Sequence, residues 1–137
     1  MKIKFDSNII KIMTIFESVT QSKLKYCLEL NERLIFIVSP GEIGKAIGKN
    51  AVNVKKLESM LNKKIRIIEF DPELEKFVAK VIFPIKITDL KVEDNIVTLT
   101  PVDSSARGLL IGRAAQNLRF FEKVIKRYFP IKEIKVI

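Results

Sequence analysis

One block of this chain occurs twice, and the repeat limits the possible folds more than any other property of the sequence. From Gly44 the chain reads GKAIGKNAVNVKKLE, and from Gly108 it reads GLLIGRAAQNLRFFE. At a shift of 64 residues Gly44 meets Gly108, Ile47 meets Ile111, Gly48 meets Gly112, Ala51 meets Ala115, Asn53 meets Asn117 and Glu58 meets Glu122. Charge is kept at Lys49/Arg113 and Lys55/Arg119, and apolar character at Val54/Leu118 and Leu57/Phe121. So dense a match within 137 residues implies two copies of one small unit of roughly 70 residues.

The flanking sequence repeats as pattern rather than as letters. Ile9, Ile12, Met13 and Phe16 fall at i, i+3, i+4 and i+7, the apolar face of a helix, with Ser7 as its N-cap. Leu74, Phe77, Val78, Val81 and Ile82 repeat that spacing. Asp71 and Pro72 suit the cap and first position of this second helix, Glu73 and Glu75 suit its dipole, and Pro84 ends it. A hairpin follows each helix. Leu24, Tyr26, Leu28 and Leu30 alternate with Lys23, Lys25, Cys27 and Glu29, as in a half-buried strand. Asn31-Glu32-Arg33 makes the turn, and 34–38 is an apolar return strand. The second hairpin runs over 85–92, turns at Asp94-Asn95 and returns over 96–102. Each repeated block then gives a short helix, a glycine-initiated turn and a second helix, 52–61 in one copy and 116–129 in the other. Each copy closes on a β-rich segment, 65–70 and 131–137. The expected order is α-β-β-α-α-β, twice. That is an α+β fold of two tandem domains, 1–70 and 71–137, each with a small three-stranded sheet packed with helices.

Composition narrows the chemistry. Histidine is absent and Cys27 is the sole cysteine, which excludes an intramolecular disulfide, Cys/His metal clusters and histidine-based triads. No apolar run reaches the roughly 18–20 residues that span a bilayer. The start, Met1-Lys2-Ile3-Lys4-Phe5-Asp6, lacks the apolar segment of a secretory signal, so a cytoplasmic protein with no membrane partner is expected. Twenty-five Lys and Arg against 16 Asp and Glu leave +9, a balance that favours a polyanionic partner. The charge is also segregated. Residues 41–66 and 104–137 are strongly basic, whereas 71–103 is acidic on balance, so the cations gather on the repeated blocks.

Gly48-Lys49-Asn50-Ala51 and Gly112-Arg113-Ala114-Ala115 are the centre of each copy. A glycine between two short helices permits a turn that a Cβ would obstruct. The helix that follows offers its first N–H groups and the positive end of its dipole to an anion. With Lys49 or Arg113 in the turn, this is a seat for a phosphodiester backbone. Ile47 and Val54, or Ile111 and Leu118, are placed to wall it with apolar surface. Lys55 and Arg119 add charge one turn later, and Asn53 and Asn117 suit either a base edge or a helix cap.

The α-β-β-α-α-β order with I-G-[KR]-x-x-x-N-[VL]-[KR] resembles a type II KH domain, whose mark is a GXXG loop between two helices. Two such units with almost nothing else resemble the short archaeal NusA-like transcription factors. The resemblance covers essentially the whole chain. It implies a non-enzymatic monomer that needs no cofactor and binds single-stranded RNA, a nascent transcript near RNA polymerase, in transcription elongation or termination. KH loops clamp the backbone of about four nucleotides. The RNA-binding residues it implies are Gly48, Lys49, Asn50, Ala51, Asn53 and Lys55, with Gly112, Arg113, Ala114, Ala115, Asn117 and Arg119. The family pattern ends the loop in glycine where both copies here have alanine, Ala51 and Ala115, so a protein-interaction scaffold with reduced RNA binding is an alternative. RNA binding in ribosome assembly or RNA processing is another.

Other features are read more plainly. Gly44-Lys45-Ala46-Ile47-Gly48-Lys49-Asn50 is one residue short of a Walker A loop and lacks its hydroxyl, which argues against nucleotide hydrolysis. Gly44 and Gly108 are expected to be close helix-packing positions. Phe121, Ile125, Tyr128 and Phe129 follow helical spacing from Leu118 and read as core, whereas Phe120 lies off that stripe and is a candidate stacking or partner surface. Cys27 falls on the polar phase of its strand and reads as a small, partly buried side chain rather than a reactive thiol.

Overall fold

Two tight turns organise the sheets. In the computed structural model, which describes residues 7–137 apart from the side chain of Ser7, Asn31 and Glu32 take φ of 51° and 62°, and Asp94 and Asn95 take 52° and 64°. Left-handed backbone at both central residues is what a two-residue type I′ hairpin requires. The first turn joins β1 (Leu24–Leu30) to β2 (Arg33–Val38), and the second joins β4 (Ile87–Glu93) to β5 (Ile96–Pro101). Arg33 belongs to the strand rather than the turn, paired with Leu30. The Met1–Asp6 start and the capping role of the Ser7 side chain lie outside the described residues.

Each hairpin gains a third, parallel strand: β3 (Lys64–Glu69) beside β2, and β6 (Glu133–Val136) beside β5. The sheet orders are β1-β2-β3 and β4-β5-β6. A parallel neighbour requires a crossover. In the first sheet it consists of α2 (Ile43–Ile47) and α3 (Val52–Leu61), and in the second of α5 (Ser104–Ile111) and α6 (Gln116–Lys126). Helices α1 (Ser7–Thr20) and α4 (Leu74–Ile82) open the two copies. The result is an α+β fold in which one element order occurs twice. The chain divides into two compact units between Asp71 and Pro72.

In the first unit the helices cover one face of the sheet. Ile12 and Phe16 of α1, Ala46 of α2 and Leu57 of α3 pack with Cys27, Leu34, Phe36 and Val38. The Phe16 and Phe36 rings stack with centroids 4.2 Å apart. Burying side chains of this size contributes about 1.5–3 kcal/mol each. In the second unit Phe77, Val78, Val81 and Ile82 of α4 are buried, as are Phe121, Val124 and Ile125 of α6. Phe77 meets Tyr128 edge-on at 5.7 Å and Phe129 at 5.8 Å. The repeated glutamates tie helix to strand. A Glu58 carboxylate oxygen accepts the Ile65 N–H at 3.1 Å, and one of Glu122 accepts the Ile134 N–H at 2.7 Å.

Several sequence expectations are corrected. Helix α4 begins at Leu74 behind an extended Glu73, so Asp71 and Pro72 lie before it rather than at its cap. Helix α6 ends at Lys126, with Tyr128 and Phe129 in the turn that follows. Strand β1 is not half-buried: Cys27 is fully enclosed opposite Phe36, because β2 is the central strand and its five apolar residues are buried on both faces. Gly44 and Gly108 are not packing positions, since both are exposed and a Cβ on either would meet nothing within 4 Å.

Candidate nucleic-acid interface

Each candidate loop is one irregular turn between two helices. Helix α2 ends at Gly48, with φ 78° and ψ 167°, a region open essentially to glycine alone. A single 3-10 turn covers Lys49–Ala51, in which Asn50 (φ 55°, ψ 31°) and Ala51 (φ 58°, ψ 29°) are both left-handed. The second loop repeats this closely. Gly112 has φ 74° and ψ 175°, Ala114 φ 53° and ψ 33°, and Ala115 φ 61° and ψ 23°. Two successive left-handed residues are uncommon in L-amino acids, each costing about 1–2 kcal/mol. Asparagine tolerates the conformation; alanine does not favour it. The alanines therefore sit where the chain needs positive φ, and they hold it there in both copies.

What keeps the loops shut is visible in the asparagines. Asn53 Nδ2 donates to the Lys45 carbonyl at 3.1 Å, and Asn117 Nδ2 donates to the Leu109 carbonyl at 2.8 Å. Each asparagine thus pins the helix before the loop to the helix after it. A Cβ on Gly48 would lie 2.9 Å from Asn53 Nδ2, and one on Gly112 would lie 2.7 Å from Asn117 Cγ. Glycine and asparagine are thereby one device, the first making room for the second. This reaches back across the loop rather than capping the asparagine's own helix. Helices α3 and α6 open with no side-chain cap, because Ala51 and Ala115 have none to give. Helix α5, by contrast, is capped by Asp103, which accepts the Ala106 N–H at 2.8 Å. The first amide of each helix turns back into the loop, the Val52 N–H donating to the Lys49 carbonyl and the Gln116 N–H to the Arg113 carbonyl. An outside acceptor would be met by the amides that follow in the first turn.

The approach to the first loop is braced by carboxylates that sequence reading did not single out. The Lys23 N–H donates to Glu42 at 2.6 Å and the Gly41 N–H donates to Glu69 at 2.7 Å. Nothing in the spacing marks them, because their partners are backbone groups distant in sequence.

Charge completes the site. Lys49, Lys55, Arg113 and Arg119 are exposed and make no ion pair among the described residues. The same holds for Lys45, Lys56 and Arg107, which fall in the same blocks but lack a matching cation at the shift of 64 residues. Some cations elsewhere are engaged: Lys63 pairs with Glu29 at 2.6 Å, Lys76 with Glu73 at 3.1 Å, and Lys135 lies 3.7 Å from Glu133. Arg66 is largely enclosed on β3, where burial, then the nearby Arg33, lowers its pKa. Apolar surface accompanies the charge at Val52 and Leu109, about half-exposed beside their loops at 54% and 55%. Phe120 is not part of such a surface. It is 7% exposed and meets Phe121 edge-on at 5.8 Å. Among the described residues no cluster of acidic or cysteine side chains is arranged to hold a metal, and no helix is long and apolar enough to cross a membrane.

Comparison with known proteins agrees with this architecture. A family model described as KH domain matches residues 11–95. The probable transcription termination protein NusA of Methanocaldococcus jannaschii is 32% identical over 99% of this chain and 76% of its own length. The protein of the same description from Halococcus morrhuae is 27% identical over 99% of both chains. The crystal structure of APE1850 superposes with a TM-score of 0.76 at 26% identity, covering 93% of this chain and 96% of that one. With a doubled α-β-β-α-α-β order, a doubled glycine loop and these relatives, the chain belongs to the KH domain family, among the NusA-like proteins of archaea.

Proposed function

We propose that this chain is a non-enzymatic, single-stranded RNA-binding factor that acts on the nascent transcript during transcription elongation or termination, as a cytoplasmic monomer in the neighbourhood of RNA polymerase. One observation carries the reading: a loop of unusual backbone geometry is built twice, each time with exposed cations that make no ion pair among the described residues. The names of the archaeal relatives supply the transcriptional setting. Residues 1–71 and 72–137 are proposed as one KH domain each.

The mechanism is electrostatic capture followed by clamping. Lys49 and Arg113 attract phosphates, releasing counterions from the strand. Backbone N–H groups in the first turn of α3 and α6, which have no side-chain cap, donate to phosphate oxygens, and the left-handed pairs Asn50-Ala51 and Ala114-Ala115 shape the backbone that meets them. Lys55 and Arg119 extend the contact along the strand. Asn53 and Asn117 keep the loop closed through Nδ2 and leave Oδ1 to face a ligand donor. Bases then lie against the apolar surface beside each loop.

Fluorescence anisotropy of a labelled single-stranded RNA tests this, with duplex RNA and single-stranded DNA as competitors. Replacing both cations, Lys49→Asp with Arg113→Asp, is expected to weaken binding by about tenfold or more and to flatten the salt dependence by roughly 1.4 in log–log slope. A folded double variant with wild-type affinity would overturn the proposal, and absence of binding by the wild type would favour the scaffold alternative.

A further inference from the structure

The two loops share a backbone but not a chemistry, and the difference is systematic. Within residues 43–56 every cation is lysine: Lys45, Lys49, Lys55 and Lys56. Within the matching residues 107–120 every cation is arginine: Arg107, Arg113 and Arg119. The chain has only six arginines against nineteen lysines, so three arginines and no lysine in fourteen residues departs sharply from its usage elsewhere. Neither set is engaged in an ion pair among the described residues, and all seven side chains are exposed. Structural pairing therefore does not account for the choice.

A second exchange runs alongside. Lys45 and Leu109 occupy equivalent places, each with its carbonyl held by the loop asparagine, at 3.1 Å and 2.8 Å. The clamp fixes the backbone from which both side chains project, one helical turn before the loop glycine. In the first unit that position carries a cation; in the second it carries an apolar side chain 55% exposed to solvent. Leu109 is one of seven large hydrophobic residues exposed among the described residues, and it stands on the helix immediately before the arginine loop.

Lysine and arginine do different work on a nucleic acid. Lysine is a strongly hydrated point charge that suits phosphate and is indifferent to the base. Arginine is planar and weakly hydrated, stacks on aromatic faces and donates in a fixed fork. Apolar surface beside such a fork favours an unstacked base, whereas a fourth lysine favours more phosphate. We infer that the two loops divide the labour of RNA binding: the Lys45/Lys49/Lys55/Lys56 loop is a sequence-indifferent phosphate anchor, and the Arg107/Arg113/Arg119 loop with Leu109 is the base-reading site. This rests on the RNA-binding function proposed above and assigns a specificity role to the second unit.

Charge-conserving swaps separate the two, because they leave the electrostatics of the chain intact. The full chain is compared with Lys49→Arg/Lys55→Arg and with Arg113→Lys/Arg119→Lys, using labelled oligo(A), oligo(U) and an abasic RNA strand of the same length. The lysine-loop swap is expected to shift base-bearing and abasic affinities together, keeping their ratio within about twofold of that of the wild type. The arginine-loop swap is expected to lower affinity for the base-bearing strands by about fivefold or more, with the abasic strand bound as before. Leu109→Gln should act in the same direction as the arginine-loop swap. The division of labour is overturned if the arginine-loop swap leaves the ratio of base-bearing to abasic affinity unchanged, whether by changing neither or by weakening both alike. The Lys49→Asp/Arg113→Asp variant is run beside them: its failure to weaken binding removes the RNA-binding function itself, whereas its success with silent arginine swaps removes only the division. All the substituted side chains are exposed, and circular dichroism confirms folding of each variant.

Discussion

A left-handed alanine is a small structural cost with a clear readout. Ala51, Ala114 and Ala115 all hold φ between 53° and 61°, where a glycine would be at ease and a Cβ presses on the neighbouring carbonyl. Substituting glycine relieves this but gives the unfolded chain more freedom to lose. The net gain expected for Ala51→Gly is about 0.5–1 kcal/mol, and the Ala114→Gly/Ala115→Gly pair should gain more because the first loop already has Asn50 at the matching place. Urea unfolding measures the difference, and a loss of stability in either variant would contradict the left-handed assignment. The identity of these positions was legible from the repeat, and so was the possibility of positive φ. Their partnership was not. That Asn53 and Asn117 hold the preceding helix depends on where a carbonyl eight residues upstream comes to lie, which no local spacing encodes. The same limit explains Gly44 and Gly108, whose expected packing partner does not exist.

At the scale of elements, periodicity located nearly every helix and strand, since each amphipathic face has a definite period and each turn has its own residues. It failed where both phases of a strand are enclosed. Cys27 falls on the polar phase of its strand, between Lys25 and Glu29, yet it pairs opposite Phe36 and is wholly buried. Burial, and secondarily the Glu29 carboxylate, push its thiol up to about 12 from an ordinary 9.0. The folded-state pKa is thus above the unfolded one, so the stabilising effect of the buried neutral thiol is complete below about pH 9 and is lost as pH rises toward about 12. The stability difference between wild type and Cys27→Ala should therefore shift against wild type by about 1 kcal/mol between about pH 8 and about pH 10. Urea unfolding of both proteins at the two pH values checks this, and a difference independent of pH would mean the thiol is not enclosed as described.

For the whole molecule, the repeat makes valence the quantity to measure. On the proposed function, two loops on one chain would hold two short strands or grip one longer strand twice, and the second mode would gain affinity through effective concentration without any new contact. RNA of about four nucleotides should bind with two strands per chain, and a strand long enough to engage both loops with one, more tightly. Titration calorimetry distinguishes the two stoichiometries. Arg113→Asp should reduce the short-strand count to one while leaving the Lys49 loop occupied; an unchanged count of two would place binding away from the loops. The charge segregation that points to these sites was visible in the sequence. The unpaired state of the loop cations was not, because it depends on which acidic side chains the fold brings near.

Each loop also lies within the only stretch of chain that leads from the central strand of its sheet to the third strand, β2 to β3 and β5 to β6. A hairpin forms quickly from local contacts, but a parallel strand waits until its crossover has been laid down. The glycine turn and its asparagine clamp lie within that crossover, so their geometry is tied to the non-local pairing of β3 and β6 rather than to the hairpins. Amide exchange in β3 and β6 then reports on the loop. A strand of RNA that holds the loop closed would slow the loss of amide protons along the third strand of each sheet, coupling occupancy of the proposed site to the integrity of the fold.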